Sequence, residues 1–188
     1  MTGLDLQGAG AATRSGGFAQ PAALVAMVLL LAFFFANVEI QIEGGHGWAT
    51  SLPTWRIEHH WLLDIVWGGR PMTGYHAWVF PFMAIFFHFP LVFAWTWSSR
   101  LEARVIACIM IFWLTEDFLW FVLNPAFGLA RFSPEFVPWH IHWFWVAPVD
   151  YWTMSTAGIL LLVWSYRGGK ATVSEGIDES KKIGSMER

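Results

Sequence analysis

Two adjacent carboxylic residues, Glu116 and Asp117, interrupt an apolar segment (residues 105–123) that is otherwise typical of a membrane span. An ionised side chain within the hydrocarbon costs roughly 2.5–3.5 kcal/mol on insertion scales, so such residues persist when they are paired, protonated or facing a cavity. A bound cation would relieve the repulsion between two neighbouring carboxylates. We therefore assign Glu116 and Asp117 as the candidate catalytic residues.

Histidines supply most of the other candidate ligands, and six of the seven are predicted on the membrane side where the acidic pair lies. His140 and His142 have the i,i+2 spacing that puts both side chains on one face of an extended segment. His60 and Asp64 share a face if residues 56–67 are helical. Imidazole and carboxylate ligands without a thiolate pair suit Fe, Cu or Zn. The predicted metal ligands are His59, His60, Asp64, His76, Glu116, Asp117, His140 and His142.

Several of these residues also have a structural interpretation. His59 and His60 are equally typical of a polar patch at the membrane interface. His88 lies deep among phenylalanines, which favours a core histidine that bonds a neighbouring helix. Glu39 and Glu43 are interpreted as marking the end of the first span rather than as ligands.

The composition predicts an all-α integral membrane protein. Mean hydropathy is +0.46 and only 13% of residues are charged, about half the usual quarter in soluble domains. Four apolar stretches, at residues 22–38, 75–97, 101–123 and 151–166, predict four transmembrane helices. The fourth is short for a bilayer that needs about 20 residues. We therefore expect residues 143–147 to extend it across a kink at Pro148.

Charged residues outside the spans predict the topology. With both termini cytoplasmic, eight of the eleven basic residues lie inside, in agreement with the positive-inside rule. Residues 1–20 and 168–188 are expected to be flexible, and residues 21–167 to form the membrane domain. The outer loops, 44–73 and 124–150, are too aromatic for solvated loops and are expected to pack on the bundle or the membrane surface.

No specific catalytic motif is present, whether a His-Glu-x-x-His helix, a set of histidine boxes, a Gly-x-Ser-x-Gly elbow or a haem-attachment sequence. The residue types predict a membrane metalloenzyme, with oxidoreductase favoured slightly over hydrolase, acting on a lipid or small apolar substrate near the outer leaflet.

Two alternatives remain open. One is a non-catalytic subunit that binds haem or a pigment, or is an accessory part of a membrane complex. The other is a proton- or cation-coupled transporter. Membrane lipids are expected partners in each case, a homo-oligomer or larger complex is compatible with the sequence, and a net charge of −3 gives no reason to expect nucleic-acid binding.

Overall fold

The structure, a computed structural model, describes residues 16–167, which are mostly helical. The helices are α1 (Gly16–Glu43), α2 (Trp61–Val66), α3 (Gly74–Phe93), α4 (Ser99–Leu123) and α5 (Val149–Tyr166). Two antiparallel hairpins pair β1 (Arg56–Ile57) with β2 (Met72–Thr73) and β3 (Trp143–Phe144) with β4 (Ala147–Pro148). A single 3₁₀ turn covers Leu129–Arg131. Residues 1–15 and 168–188, predicted to be flexible, lie outside the described part.

In the part of the chain that the structure describes, three helices are long and apolar enough to cross a membrane: α1 from Phe18, α3 and α4. Large apolar side chains cover their outer surfaces, as Met27 on α1 and Phe82 on α3 do. This pattern is the one expected of helices that face lipid. Helix α1 begins before the predicted start at residue 22 and continues through Pro21, so residues 16–20 are already helical.

Helix α4 is the central helix, and both α1 and α5 pack along its length, whereas α3 contacts it along a narrower seam. The middle of the bundle holds an apolar core cluster, in which Val28, Ala32, Met83, Cys108 and Phe112 are buried against one another. On α5, a Cβ at Gly158 would already touch Met110 and Ile111. The glycine therefore allows α5 to lie close to α4.

Two predicted helical segments have a different structure. Residues 143–148 form the β3–β4 hairpin, with Trp145 at positive φ, and α5 starts only at Val149. The predicted kinked helix through Pro148 is therefore wrong, because Pro148 precedes the helix and lacks the N–H that a helix interior needs. Of the predicted helix over 56–67, only α2 is helical, since Arg56 and Ile57 pair with β2.

Candidate functional site

A cavity of ≈ 970 Å³ lies at one end of the bundle, where α1 and α4 finish and α3 and α5 begin. We call this end the chamber end and the cavity the chamber. Its lining combines carboxylic, cationic and imidazole side chains with a large aromatic surface. The ionisable residues that line it are Glu39, Glu43, Asp64, Arg70, His76, Glu116, Asp117, His140, His142 and Asp150.

Glu39 of α1 and Glu116 of α4 form a buried carboxyl pair on one wall of the chamber. The two residues are only 7% and 2% exposed, and their carboxyl groups lie within hydrogen-bond reach of each other. Tyr75 donates its hydroxyl hydrogen to Glu39 Oε1 at 2.8 Å. Among the described residues, no donor reaches Glu116 Oε1. A proton shared between the two carboxyl groups would supply a hydrogen bond between them and remove their repulsion.

Glu43, one helical turn beyond Glu39, has a structural role. Gly47, Trp48 and Ala49 are three consecutive residues at positive φ, a conformation that costs energy for residues other than glycine. The carboxylate of Glu43 accepts the N–H of Ala49 at 2.5 Å, and Arg56 donates to the carbonyl oxygen of Ala49. These two bonds stabilise the left-handed turn between α1 and β1.

The left-handed turn places Trp48 in the chamber, against His76 of α3. Their rings stack with centroids 3.9 Å apart, and Phe80 lies on the imidazole at 5.6 Å. Thr73, the residue that caps α3, lies 2.6 Å from His76 Nδ1 through its hydroxyl oxygen. The imidazole is therefore fixed in orientation by two aromatic rings and one hydroxyl group.

Asp117 lies at the centre of a second polar cluster that joins α4, α5 and both loops. Its Oδ2 accepts hydrogen bonds from His140 Nε2, at 3.2 Å, and from the hydroxyl of Tyr151. His140 Nδ1 lies 3.5 Å from Asp150 Oδ1, and Arg70 pairs with Asp150 and contacts the imidazole. We call these five residues the Asp117 cluster.

His140 is the link between the two carboxylates of this cluster. Burial disfavours its charged form, but the negative charges of Asp117 and Asp150 outweigh that effect and raise the pKa of His140 above its usual value. The imidazole side chain is only 1% exposed. The imidazole therefore lies between two carboxylates, with Asp117 on its Nε2 and Asp150 near its Nδ1.

Asp117 itself stays accessible from the chamber. Both of its hydrogen bonds within the described residues fall on Oδ2, and its side chain is 26% exposed although it lies inside the bundle. Its second oxygen, Oδ1, is therefore available to a molecule in the chamber. A carboxylate held by two donors and open on one side can accept a proton or bind a cationic group.

The structure separates the predicted metal ligands. Asp64, His76, Glu116, Asp117, His140 and His142 line the chamber, whereas His59 and His60 are exposed on the first loop. His60 Nδ1 accepts the N–H of Leu62 and so caps α2. His140 is buried but His142 is exposed. Within residues 16–167, no three His, Cys, Asp or Glu side chains are placed to hold one metal ion.

Sequence reasoning missed several chamber residues, above all Glu39, Arg70 and Tyr151. Glu39 and Glu43 share a helix face at i,i+4, which is the signal that could have placed both in the bundle interior. No spacing pattern in the sequence identifies Arg70 as a site residue, because its partner Asp150 is 80 positions away. The predicted bond of His88 to a neighbouring helix is present, since its Nε2 lies 3.0 Å from Glu102 of α4, but its side chain is 36% exposed and is not part of the core.

No family model, no curated protein and no solved structure matches this chain.

Proposed function

We propose that this chain is an integral-membrane enzyme that performs acid–base chemistry on the polar end of a lipid-like substrate held in the chamber. Asp117 is the base that contacts the substrate, and the Glu39–Glu116 pair is the proton donor. The observation that carries the proposal is the geometry of Asp117, whose Oδ2 is held by His140 and Tyr151 while its side chain remains open to the chamber.

The Asp117 cluster supports the role of base. A catalytic carboxylate needs a fixed orientation, and the two donors on Oδ2 fix the plane of the carboxyl group. Asp150 and Arg70 contact His140 in turn. They hold the imidazole in the orientation in which it donates to Asp117. Proton transfer by a side chain held in position typically raises the rate of a reaction 10²–10⁴-fold.

The Glu39–Glu116 pair supports a reaction in which protons are moved within the substrate. Asp117 takes one proton from the substrate, and the proton shared by the pair is delivered to a second substrate atom. The proton on Asp117 then passes to the neighbouring Glu116, which restores the starting state. The net reaction is an isomerisation that consumes no co-reactant.

The residues that line the chamber favour a lipid-like substrate that enters from the bilayer. Below the polar groups, the lining consists of apolar residues of three helices, among them Phe80, Ala84, Ile109 and Met154. Pro81 of α3 and Thr153 of α5 line the chamber and are themselves exposed, which supports a lateral opening between these helices.

The topology that fits this proposal has four spans, with α5 as the fourth. Its 18 residues extend about 27 Å at 1.5 Å per residue, close to the roughly 30 Å of a hydrocarbon core. It packs along α4 about as extensively as α1 does. Both described helix ends, at Gly16 and Tyr166, then lie opposite the chamber, and the positive-inside rule assigns them to the cytoplasm.

The other predicted functions receive less support from the geometry. A transporter needs a polar path across the membrane, but residues 22–38, 77–87, 105–115 and 154–163 carry no ionisable group except Cys108. A haem held by His76 and His88 would have to span about 18 Å along one helix. Binding of Fe, Cu or Zn stays a prediction, and metal analysis of the purified protein tests it.

The experiment is an untargeted mass-spectrometric comparison of lipid extracts from cells that produce the wild type or Asp117→Asn. Asparagine keeps an oxygen that can accept from His140 and Tyr151 but cannot take a proton. We expect one amphiphile to accumulate in the variant and an isomer of the same mass to accumulate with the wild type. Glu58→Gln, a change of an exposed carboxylate outside the chamber lining, is the matched control and should resemble the wild type. Identical extracts from wild type and Asp117→Asn would overturn the proposal.

A further inference from the structure

We propose that the chamber selects a long-chain amphiphile with a positively charged amine head, which contacts Asp117. Its alkyl chain lies between α3 and α5 in the apolar part of the chamber, lined by Phe80, Ala84, Ile109 and Met154, which we call the slot. This inference rests on the proposed function and names its substrate class. It is carried by the charge of the chamber, by its aromatic lining and by the shape of its apolar part.

The charge of the chamber disfavours a phosphate head. Among residues 16–167, six carboxylic residues line the chamber against one arginine, Arg70, which is already paired with Asp150. The chamber stays negative even when His140 is charged and Glu39 and Glu116 share a proton. An anionic head would therefore be repelled, whereas an ammonium head would meet the open oxygen of Asp117.

The aromatic residues around this carboxylate favour the same head. Tyr151 bonds Asp117 directly, and Trp120, Phe121 and Trp139 are also among the residues that line the chamber. Aromatic faces attract cations, and sites for alkylated ammonium groups combine several such faces with a nearby negative charge. The aromatic lining is thus an observation independent of the acidic one.

The slot fits an alkyl chain rather than a compact ligand. On α3 the chamber lining extends from His76 to Ala84, eight residues or about 12 Å along the helix, and on α4 it extends from Glu116 to Ile109. The polar side chains line only the part of the cavity near His76 and Glu116, and the part near Ala84 and Ile109 is apolar. A molecule that fills the chamber must therefore be polar at one end and apolar over the rest.

Photo-crosslinking with defined probes tests the inference on the full chain in bilayer discs made of a neutral, amine-free glycolipid. One probe is an alkyl-trimethylammonium with a diazirine in its chain, and the other has the same chain and a phosphate head. We expect the ammonium probe to label α3 and α5 at the slot, in competition with unlabelled dodecyltrimethylammonium. Labelling should fall about tenfold in Asp117→Asn, which corresponds to about 1.4 kcal/mol, and should be unchanged in Glu58→Gln.

A second variant, Ala84→Trp, fills the apolar end of the slot and should abolish labelling while Asp117 is intact. Equal or stronger slot labelling by the phosphate probe would overturn the inference, as would unchanged labelling in both Asp117→Asn and Ala84→Trp. The crosslinking assay measures occupancy of the slot and not turnover. Labelling of the slot in a protein that converts no lipid would therefore contradict only the acid–base function. Lipid conversion without ammonium labelling would contradict only the substrate class.

Discussion

The chamber end and the opposite half of the bundle are built from the same long helices but are stabilised in different ways. In the opposite half, Val28, Ala32 and Phe112 pack in an apolar core. At the chamber end, the same helices surround a large cavity and are joined by hydrogen bonds and ion pairs. Buried ion pairs are weak evidence for stability, since desolvation offsets much of their attraction. The contrast agrees with the proposed function, in which the polar chamber end performs the chemistry and the apolar half contributes mainly to stability.

The largest effect is expected where a largely buried ion pair loses its arginine. Arg70→Ala removes the guanidinium that pairs with Asp150 and contacts His140, and leaves Asp150 with His140 alone. Breaking such a pair typically costs about 3–5 kcal/mol. Thermal or denaturant unfolding in detergent measures this loss. The control in the opposite half is Arg104→Ala, which removes bonds to the uncharged Ser165. An equal loss in both variants would contradict the distinction between the two halves.

The next prediction concerns the apolar core. Phe112 is fully buried, and Phe112→Ala should lower the free energy of unfolding by about 3–5 kcal/mol, through lost burial and a new cavity. Below its unfolding temperature the variant should retain the wild-type lipid conversion, because Phe112 does not line the chamber. Lost conversion in the folded variant would show that the two halves are not separable.

A smaller effect is expected at the left-handed turn. At Gly47 a Cβ would lie 2.6 Å from a ring atom of Trp139, and the residue is at positive φ. Gly47→Ala should therefore cost about 1–3 kcal/mol and displace Trp139 in the chamber wall. Gly44→Ala has the same positive φ but open space around its Cβ, so it should affect stability but not slot labelling. Unfolding and the crosslinking assay together test this pair.

The Asp117 cluster predicts a modest pH dependence of stability. The raised pKa of His140 means that its contribution is complete at pH values below about 6.5, the usual histidine pKa, and is lost as pH rises through the folded-state pKa. The groups that face it are Asp117, Asp150, Arg70 and Tyr151. Unfolding temperature should thus fall as pH rises above neutrality, and His140→Gln should flatten this decline. An equally steep decline in the variant would assign it to another group.

The smallest effect is expected for the carboxyl pair. In Glu116→Gln the amide can donate to Glu39 in place of the shared proton, so stability should change by less than about 1 kcal/mol. Glu116→Leu has no such donor and should be clearly less stable. Infrared spectra of the wild type should show a protonated carboxyl band that disappears in Glu116→Gln. If glutamine and leucine cost the same, the two carboxyl groups do not share a proton.

The sequence allowed prediction of the parts of this structure that depend on local composition. The apolar stretches indicated a helical membrane protein, and the acidic residues within residues 105–123 drew attention to α4, where Glu116 and Asp117 do line the chamber. Helical spacing alone implies that these two side chains diverge by about 100°, and the structure directs them to Glu39 and to His140.

The parts that escaped prediction depend on contacts between distant residues. Arg70 meets Asp150 only after two loops fold over the bundle. The hairpin at 143–148 resembles a helix extension in composition, and it becomes recognisable only through its pairing. His60 had a suitable type and spacing for a ligand, but its ring caps its own helix, a local bond that competes with any ligand role.

The most direct test of the acid–base function of Asp117 is conversion by purified protein. Lipid extract from cells that produce Asp117→Asn is incubated with purified wild type, Asp117→Asn or Glu58→Gln in detergent. We predict that wild type and Glu58→Gln convert one amphiphile into an isomer, whereas Asp117→Asn does so about 10²–10⁴-fold more slowly. Conversion by Asp117→Asn at the wild-type rate, or no conversion by the wild type, would contradict the account.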